Sequence, residues 1–114
     1  MAHAERSEGG REILGEKAVL AEMVGYQAGS VVSRTLVDRP QGTVTLFSFD
    51  QGQGLSEHSA PFDAMVQVLE GEGEFVISGR PHRLGAGETI IMPADEPHAV
   101  KAPQRFKMLL VMIR

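Results

Sequence analysis

The chain of 114 residues contains no cysteine, no tryptophan and a single tyrosine. Without cysteine it cannot form a disulfide, a thiolate metal site or a thiol nucleophile. So few large aromatic rings argue against a base-stacking surface or an aromatic platform for sugars. Eleven lysines and arginines stand against fifteen aspartates and glutamates, and the net charge of −4 has the wrong sign for binding nucleic acid. We therefore expect no nucleic-acid partner.

Long hydrophobic segments are also missing. The longest apolar run, residues 108–113, has six residues, far fewer than a membrane span needs. The first ten residues carry charges and lack the apolar stretch of a signal peptide. These features predict a cytoplasmic protein without a membrane partner.

Glycine and proline divide most of the chain into short runs rich in apolar and β-branched residues. Short strands with regularly spaced turn signals are typical of a β-sandwich or a β-barrel and not of βαβ units. We therefore predict an all-β fold of two packed antiparallel sheets. The predicted strands are residues 31–37, 43–49, 66–69, 74–77, 89–92 and 106–113.

The length predicts one domain. We expect residues 1–17 to form a flexible N-terminal tail and residues 18–114 to form a single barrel. A short helical segment follows the tail and ends near Gly25. Its apolar positions recur on one face of a helix: Val19, Leu20, Met23 and Val24.

The last predicted strand becomes apolar on both faces from Met108 onward. A strand exposed to water on one face would not have this pattern. Its second half is therefore expected to be covered on both sides, by the barrel core and by something else. A second subunit would explain the cover, and we predict a homodimer; the N-terminal segment is the alternative cover.

Two histidines stand out by their positions. His58 and His98 are each predicted to lie at the entrance of a strand. Imidazole is the commonest nitrogen ligand for metals, and two such rings on adjacent strands can share one ion. The alternative is a partly buried pair that forms hydrogen bonds to the other ring, to water or to the backbone.

The spacing around these histidines resembles two motifs of the cupins, which are small jelly-roll barrels. The resemblance covers roughly residues 52–102 and implies a cupin-type jelly-roll β-barrel. In the first motif the matching residues are Gly52, His58 and Gly71, and in the second they are Gly87, Pro93 and His98.

The chain departs from these motifs at positions that matter for function. The family's second histidine falls on Ala60, its glutamate on Ala64, and a glycine of the second motif on Asp95. The resemblance implies a divalent metal (Zn, Mn, Fe or Ni), but two of the four ligand positions are alanine. Because a stable site usually has three or more protein ligands, His58 and His98 alone would hold a metal weakly.

Asp63 and Gln67 are the candidates to complete such a metal site. They are four residues apart and lie on the same face of an extended strand. If that face is the barrel interior, they join the two histidines. If Ala64, Val66 and Val68 point inward instead, both face the other way. A third interpretation gives Asp63 a hydrogen bond to nearby backbone N–H groups.

Two functions follow from the resemblance. The first is a binding domain that takes a small-molecule ligand, with or without a weakly held metal, in a barrel pocket lined by Met92, Val66 and Phe49. The second is a metal-dependent enzyme of the dioxygenase, isomerase or decarboxylase type that uses the two histidines with Asp63 or Gln67. Fold alone does not decide between them. Acid–base chemistry by His98 without a metal lacks a clearly placed partner carboxylate.

Overall fold

The computed structural model describes the backbone of Ala4–Ser7 and all of residues 12–114. The predicted tail therefore falls partly outside the described residues, at positions 1–3 and 8–11. Most of the described chain is strand, as the turn spacing predicted. The strands are β1 (Ala4–Ser7), β2 (Ser30–Arg39), β3 (Gly42–Phe49), β4 (Gly54–His58), β5 (Asp63–Ile77), β6 (Arg80–Gly85), β7 (Thr89–Met92), β8 (His98–Lys101) and β9 (Phe106–Ile113).

Strand β5, with 15 residues, is shared by both sheets. Its first half pairs with β9 on one side and β7 on the other, and β9 continues the sheet through β3 and β2 to β1. Its second half pairs with β8 and β6, and β8 pairs with β4. Among the described strands all pairs are antiparallel except β1 with β2. This curled pair of sheets confirms the predicted jelly-roll barrel.

The barrel interior is filled by aromatic and aliphatic side chains. The rings of Phe49 and Phe106 stack with centroids 4.6 Å apart, and Phe75 meets Phe106 edge-on at 6.0 Å. All three are fully buried. Strand β5 passes this cluster at Gly73, where an added Cβ would lie 2.7 Å from the ring of Phe106. The glycine thus lets the strand and the ring pack together.

The N-terminal segment forms a second layer on the outside of the sheet. Leu20 and Met23 pack against a buried cluster that contains Val24, Val32 and Leu46. Polar contacts hold the same segment in place: the hydroxyl of the single tyrosine, at position 26, donates to the carboxylate at position 70 over 2.7 Å. The segment therefore adds buried contacts to one face of the barrel.

This layer bears on the predicted cover for β9. Leu109, on the outer face of β9, packs against the cluster of the N-terminal segment. Lys107 donates to the carbonyl oxygen of Ala21 in the same segment. The N-terminal segment, the alternative cover, therefore lies over the first half of β9. At the other end Ile113 is 58% exposed, and the homodimer stays a prediction.

The predicted helical segment is smaller in the structure. A single 3-10 turn, Leu20–Glu22, stands where one or two helical turns were expected. Within the predicted tail, β1 pairs with β2, and Ile13 packs against the outer cluster. Within the described residues no helix is long and apolar enough to cross a membrane.

Candidate functional site

His58 and His98, called the histidine pair below, lie beside each other on neighbouring strands. His98 begins β8 as expected, but His58 is the last residue of β4 and does not open a strand. The two are Cα partners after a bulge in β4. Their ring centroids are 4.4 Å apart and the ring planes meet at 68°. The two rings are therefore in contact with each other.

Each ring of the pair is oriented by its own backbone. The Nδ1 of His58 lies 2.8 Å from the carbonyl oxygen of Ser56, and the Nδ1 of His98 lies 3.2 Å from that of Glu96. A carbonyl oxygen can only accept, so each Nδ1 carries the proton. In the neutral rings each Nε2 therefore has a free lone pair. Metal-binding histidines use their second nitrogen in the same way.

The two rings differ in their exposure to solvent. His98 is buried, with 7% of its surface exposed, whereas His58 is exposed at the strand end. Burial lowers the pKa of His98, and the nearby His58 lowers it further. The hydrogen bond to the Glu96 carbonyl acts in the opposite direction. At neutral pH the site therefore favours a neutral imidazole with its lone pair available.

Two segments, residues 58–64 and 92–98, cross from one sheet to the other beside the histidine pair. We call them the crossing segments. They run antiparallel, because His58 is opposite His98 at one end and Ala64 is opposite Met92 at the other. Between these ends the N–H of Asp95 donates to the carbonyl oxygen of Ala60 over 2.8 Å. The crossing segments thus fix both histidines to one end of the barrel.

Asp95 occupies the position where the cupin motif has glycine. Its φ of 69° lies in the left-handed region that favours glycine. Aspartate tolerates this conformation better than most residues. The turn between β7 and β8 therefore keeps the family's backbone shape although its glycine is absent.

The structure places Asp63 and Gln67 away from the histidine pair. In the first half of β5 the buried side chains are those of Ala64, Val66 and Val68, at 0 to 4% exposure. Alternation along the strand puts Asp63 and Gln67 on the opposite face. The Oδ1 of Asp63 accepts a hydrogen bond from the N–H of Ala94 over 2.9 Å. The carboxylate of Asp63 thus links one crossing segment to the other. Gln67 is half-buried on the outside of the sheet.

The expected pocket residues all point into the barrel. Val66 and Phe49 are fully buried and Met92 is 3% exposed, within one apolar cluster. Met92 lies at the end of a crossing segment, next to Ala64. Of the three, Met92 is the one that belongs to a crossing segment, at the end opposite to the histidine pair.

The residues present do not fit the divalent metal that the cupin resemblance implies. Among the described residues there is no group of three or more His, Cys, Asp or Glu side chains that could hold an ion. A structural zinc site takes four protein ligands and a catalytic one takes three. The histidine pair supplies two nitrogens, and Ala60 and Ala64 supply none. Divalent metal binding stays a prediction.

A cavity of about 540 Å³ runs along β4 and β8. Its lining includes Glu57, Glu74 and Lys101 but neither histidine of the pair. Glu74 and Lys101 are Cα partners on the outer face of the sheet, because Phe75 and Val100 next to them are buried in the core. The lining also includes Val100 and Ala102 of the barrel core, so the cavity reaches from the outer face to the core at this edge of the sheet. Its volume is in the range of small-molecule sites.

The groups that orient the histidine pair were not found from the sequence. They are the backbone carbonyl groups of Ser56 and Glu96, and a carbonyl carries no residue-type signal. The common feature is that each lies two residues before its histidine. The sequence offers one hint of these contacts: each histidine is at the end or the beginning of a strand rather than within it.

Known proteins resemble this chain in sequence and in fold. The family described as "Cupin domain" matches residues 45–113. A conserved protein of unknown function from Streptococcus pyogenes is 38% identical, with a TM-score of 0.84, over 100% of this chain and 96% of that one. A cupin 2 conserved barrel domain protein from Leptotrichia buccalis is 44% identical, with a TM-score of 0.81, over 82% of this chain and 46% of that one.

One curated relative is an enzyme. Dimethylsulfoniopropionate lyase DddQ from Ruegeria pomeroyi is 38% identical over 58 residues, which is 50% of this chain and 29% of the lyase. The chain thus spans less than a third of that enzyme's length. The match to the cupin domain covers more than half of the chain, and the jelly-roll barrel agrees with it. The chain belongs to the cupin family.

Proposed function

We propose that this cupin is a binding domain that takes a small molecule at the histidine pair. The observation that carries the proposal is the pair of Nδ1–H bonds to backbone carbonyl groups. They leave the Nε2 atoms of two adjacent rings, one of them buried, as hydrogen-bond acceptors. Such acceptors require a donor when they are buried. A ligand with a hydroxyl or N–H group would supply it.

The surroundings of the pair set the chemistry of that ligand. Ala60 and Ala64 stand where the family motif has a histidine and a glutamate, and their side chains are smaller. The interior beyond them is apolar, with Met92 and Val66 on its wall. A molecule with one hydrogen-bond donor and a compact apolar body fits these surroundings. A carboxylate or phosphate does not, because neutral Nε2 atoms can only accept.

A metal-dependent enzyme is the second candidate. Two observations favour it: the tautomer of both rings is that of metal-ligating histidines, and a lyase is among the relatives. The missing third ligand weighs against it. An enzyme of the dioxygenase, isomerase or decarboxylase type needs a set of ligands that fixes the geometry of its metal, and Asp63 and Gln67 face the other way.

The test uses chelator-treated protein and a panel of small neutral donors, namely phenol, indole and short alcohols. Binding is followed by ligand-observed NMR. The double variant His58→Ala/His98→Ala should lose binding by about tenfold or more, since one or two hydrogen bonds disappear. His82→Ala, on β6, is the matched control and should bind as the wild type does.

Two outcomes contradict the proposal. In one, the double variant folds and binds the same donors as well as the wild type. In the other, no donor binds to wild-type protein free of metal, while a stoichiometric metal is recovered from protein purified without chelator or nickel resin. The second outcome would favour the enzyme.

A further inference from the structure

The cavity along β4 and β8, called the β4–β8 cavity below, is lined by residues 52–57 and 99–103 and by Glu74. Two backbone hydrogen bonds hold its two strands together at one end. The N–H of Gly52 donates to the carbonyl oxygen of Ala102 over 2.9 Å, and the N–H of Ala102 donates to that of Gln53 over 3.0 Å. The shape of this end is therefore set by the backbone and does not depend on a ligand.

The middle of the β4–β8 cavity is apolar and carries small side chains. Gly54 approaches β8 so closely that an added Cβ would collide with the carbonyl oxygen of Val100. Ala99 adds only a methyl group to the lining, and Leu55 packs against the barrel core. The cavity therefore offers an apolar surface on which a short hydrocarbon chain can lie.

Two charged side chains of this lining, Lys101 and Glu57, have no ion-pair partner among the side chains that the structure describes. The third charged residue, Glu74, is a Cα partner of Lys101, but its Oε1 accepts a hydrogen bond from the Nε of Arg83 over 3.3 Å. On its other side Lys101 is opposite Gly54, which has no side chain to meet it. One cation and one anion are therefore left for a ligand.

These two free charges stand at different levels of the cavity. Glu57 lies in the bulge of β4, which faces Ala99 on β8. Lys101 is two residues after Ala99, and two residues of strand span about 7 Å. A ligand that meets both side chains therefore needs two opposite charges separated by several carbon atoms.

We propose that the β4–β8 cavity binds a linear zwitterion of the ω-amino acid class, with its carboxylate at Lys101 and its ammonium group at Glu57. The methylene chain between these groups lies on the apolar middle of the cavity. A simple carboxylic acid or a simple amine meets one of the two charges and leaves the other unpaired. An α-amino acid carries its charges too close together to reach both side chains.

This inference goes beyond the proposed function and uses none of its residues, because neither histidine of the pair lines the β4–β8 cavity. Neutral donors report on the histidine pair and zwitterions report on the cavity. The two proposals therefore fail separately.

The experiment titrates isotope-labelled protein with 6-aminohexanoate and follows the backbone amide signals by NMR. The signals that move should be those of β4, β8 and the residues between Gly52 and Gly54. Binding should be tighter than that of hexanoate, hexylammonium or glycine. Lys101→Met keeps a linear side chain without its charge, and Glu57→Gln keeps the shape of the side chain. Each should weaken binding by about two- to fivefold, the range expected for an ion pair exposed to solvent.

Lys17→Met and Glu22→Gln are the matched controls, because each removes the same charge from an exposed residue outside the cavity lining. Both should bind 6-aminohexanoate as the wild type does. Ala99→Leu fills part of the cavity without a change of charge and should also weaken binding, and its amide spectrum shows that it is folded.

The proposal is overturned if hexanoate or hexylammonium binds as tightly as 6-aminohexanoate. It is equally wrong if either Lys101→Met or Glu57→Gln binds 6-aminohexanoate as the wild type does, or if the amide signals that move lie elsewhere in the barrel. Should Ala99→Leu not fold, the two charge variants decide.

Discussion

His58 and His98 each donate Nδ1–H to the carbonyl oxygen two residues earlier in the chain, at 2.8 Å and 3.2 Å. Each ring is therefore held by a backbone carbonyl group of its own segment and not by a hydrogen bond to the other ring. The two ring centroids are nevertheless only 4.4 Å apart, so the two histidines form one site. Removal of one ring should leave the other in place, which makes single substitutions informative.

Acid should destabilise the metal-free protein through His98. Burial and the neighbouring His58 lower its pKa below the usual 6.5. The unfolded chain then binds the proton more readily, so the contribution of His98 to stability is present above 6.5 and is lost as pH falls through the folded pKa. Urea unfolding should show a lower free energy of unfolding at about pH 5 than at about pH 7.5. His98→Gln should reduce this difference, and His82→Gln should not. An unchanged pH dependence in His98→Gln would refute the assignment.

Tyr26 should ionise at unusually high pH. Burial raises its pKa above the usual 10, and the carboxylate of Glu70, which accepts its hydroxyl proton at 2.7 Å, raises it further. Because the chain has one tyrosine and no tryptophan, the near-ultraviolet absorbance of the phenolate reports this residue alone. Glu70→Gln should lower the titration midpoint, yet leave it above 10 because burial remains. Glu72→Gln removes a carboxylate that pairs with Arg83 and serves as the control. Equal midpoints in wild type and Glu70→Gln would count against this contact.

The strands that the sequence predicted best are those with strong apolar patterns. β7 and β9 have the expected bounds, because their β-branched and apolar residues stand between clear turn signals. β4 and β6 were missed. β4 is an exposed edge strand with polar residues and a bulge, and β6 contains Pro81. Edge strands bury little, so composition says little about them.

Strand β5 shows why local signals misled. Gly71 and Gly73 read as a break between two strands, but the chain runs through both as one strand of 15 residues. The glycines are needed because Phe106 crosses at close range. This contact joins residues far apart in sequence and has no local pattern. The inward face of β5 was likewise undecidable, because both faces of its first half contain apolar residues.

Gly73→Ala should destabilise the barrel. Its Cβ would lie 2.7 Å and 2.8 Å from two atoms of the Phe106 ring, which is itself packed between two other phenylalanines. Overpacking of this kind costs about 1–3 kcal/mol of unfolding free energy, measured by urea denaturation. Gly25→Ala is the control, since nothing lies within 4 Å of its Cβ. In a Phe106→Leu background the cost should shrink, and a strictly additive double variant would show that the ring is not the cause.

A carboxylate at position 64 should convert the site to one that holds a divalent metal. Ala64 is 4% exposed, points into the barrel and stands where the cupin motif has its glutamate. Ala64→Glu adds a third ligand to the two Nε2 atoms, which reaches the number found in catalytic zinc sites. We expect the affinity for Zn(II) or Mn(II) to rise by at least about tenfold over wild type, measured by calorimetry on chelator-treated protein.

The matched control is Gln67→Glu, which adds the same charge to the same strand on the outward face. It should bring no gain in metal affinity, because its carboxylate points away from the histidine pair. A double variant Ala60→His/Ala64→Glu restores both family positions and should bind more tightly than Ala64→Glu alone. Because burying a carboxylate without a partner is costly, Ala64→Glu should also be less stable than wild type without metal and regain stability when metal is added. If Gln67→Glu gains affinity and Ala64→Glu does not, the inward face of β5 has been assigned the wrong way round.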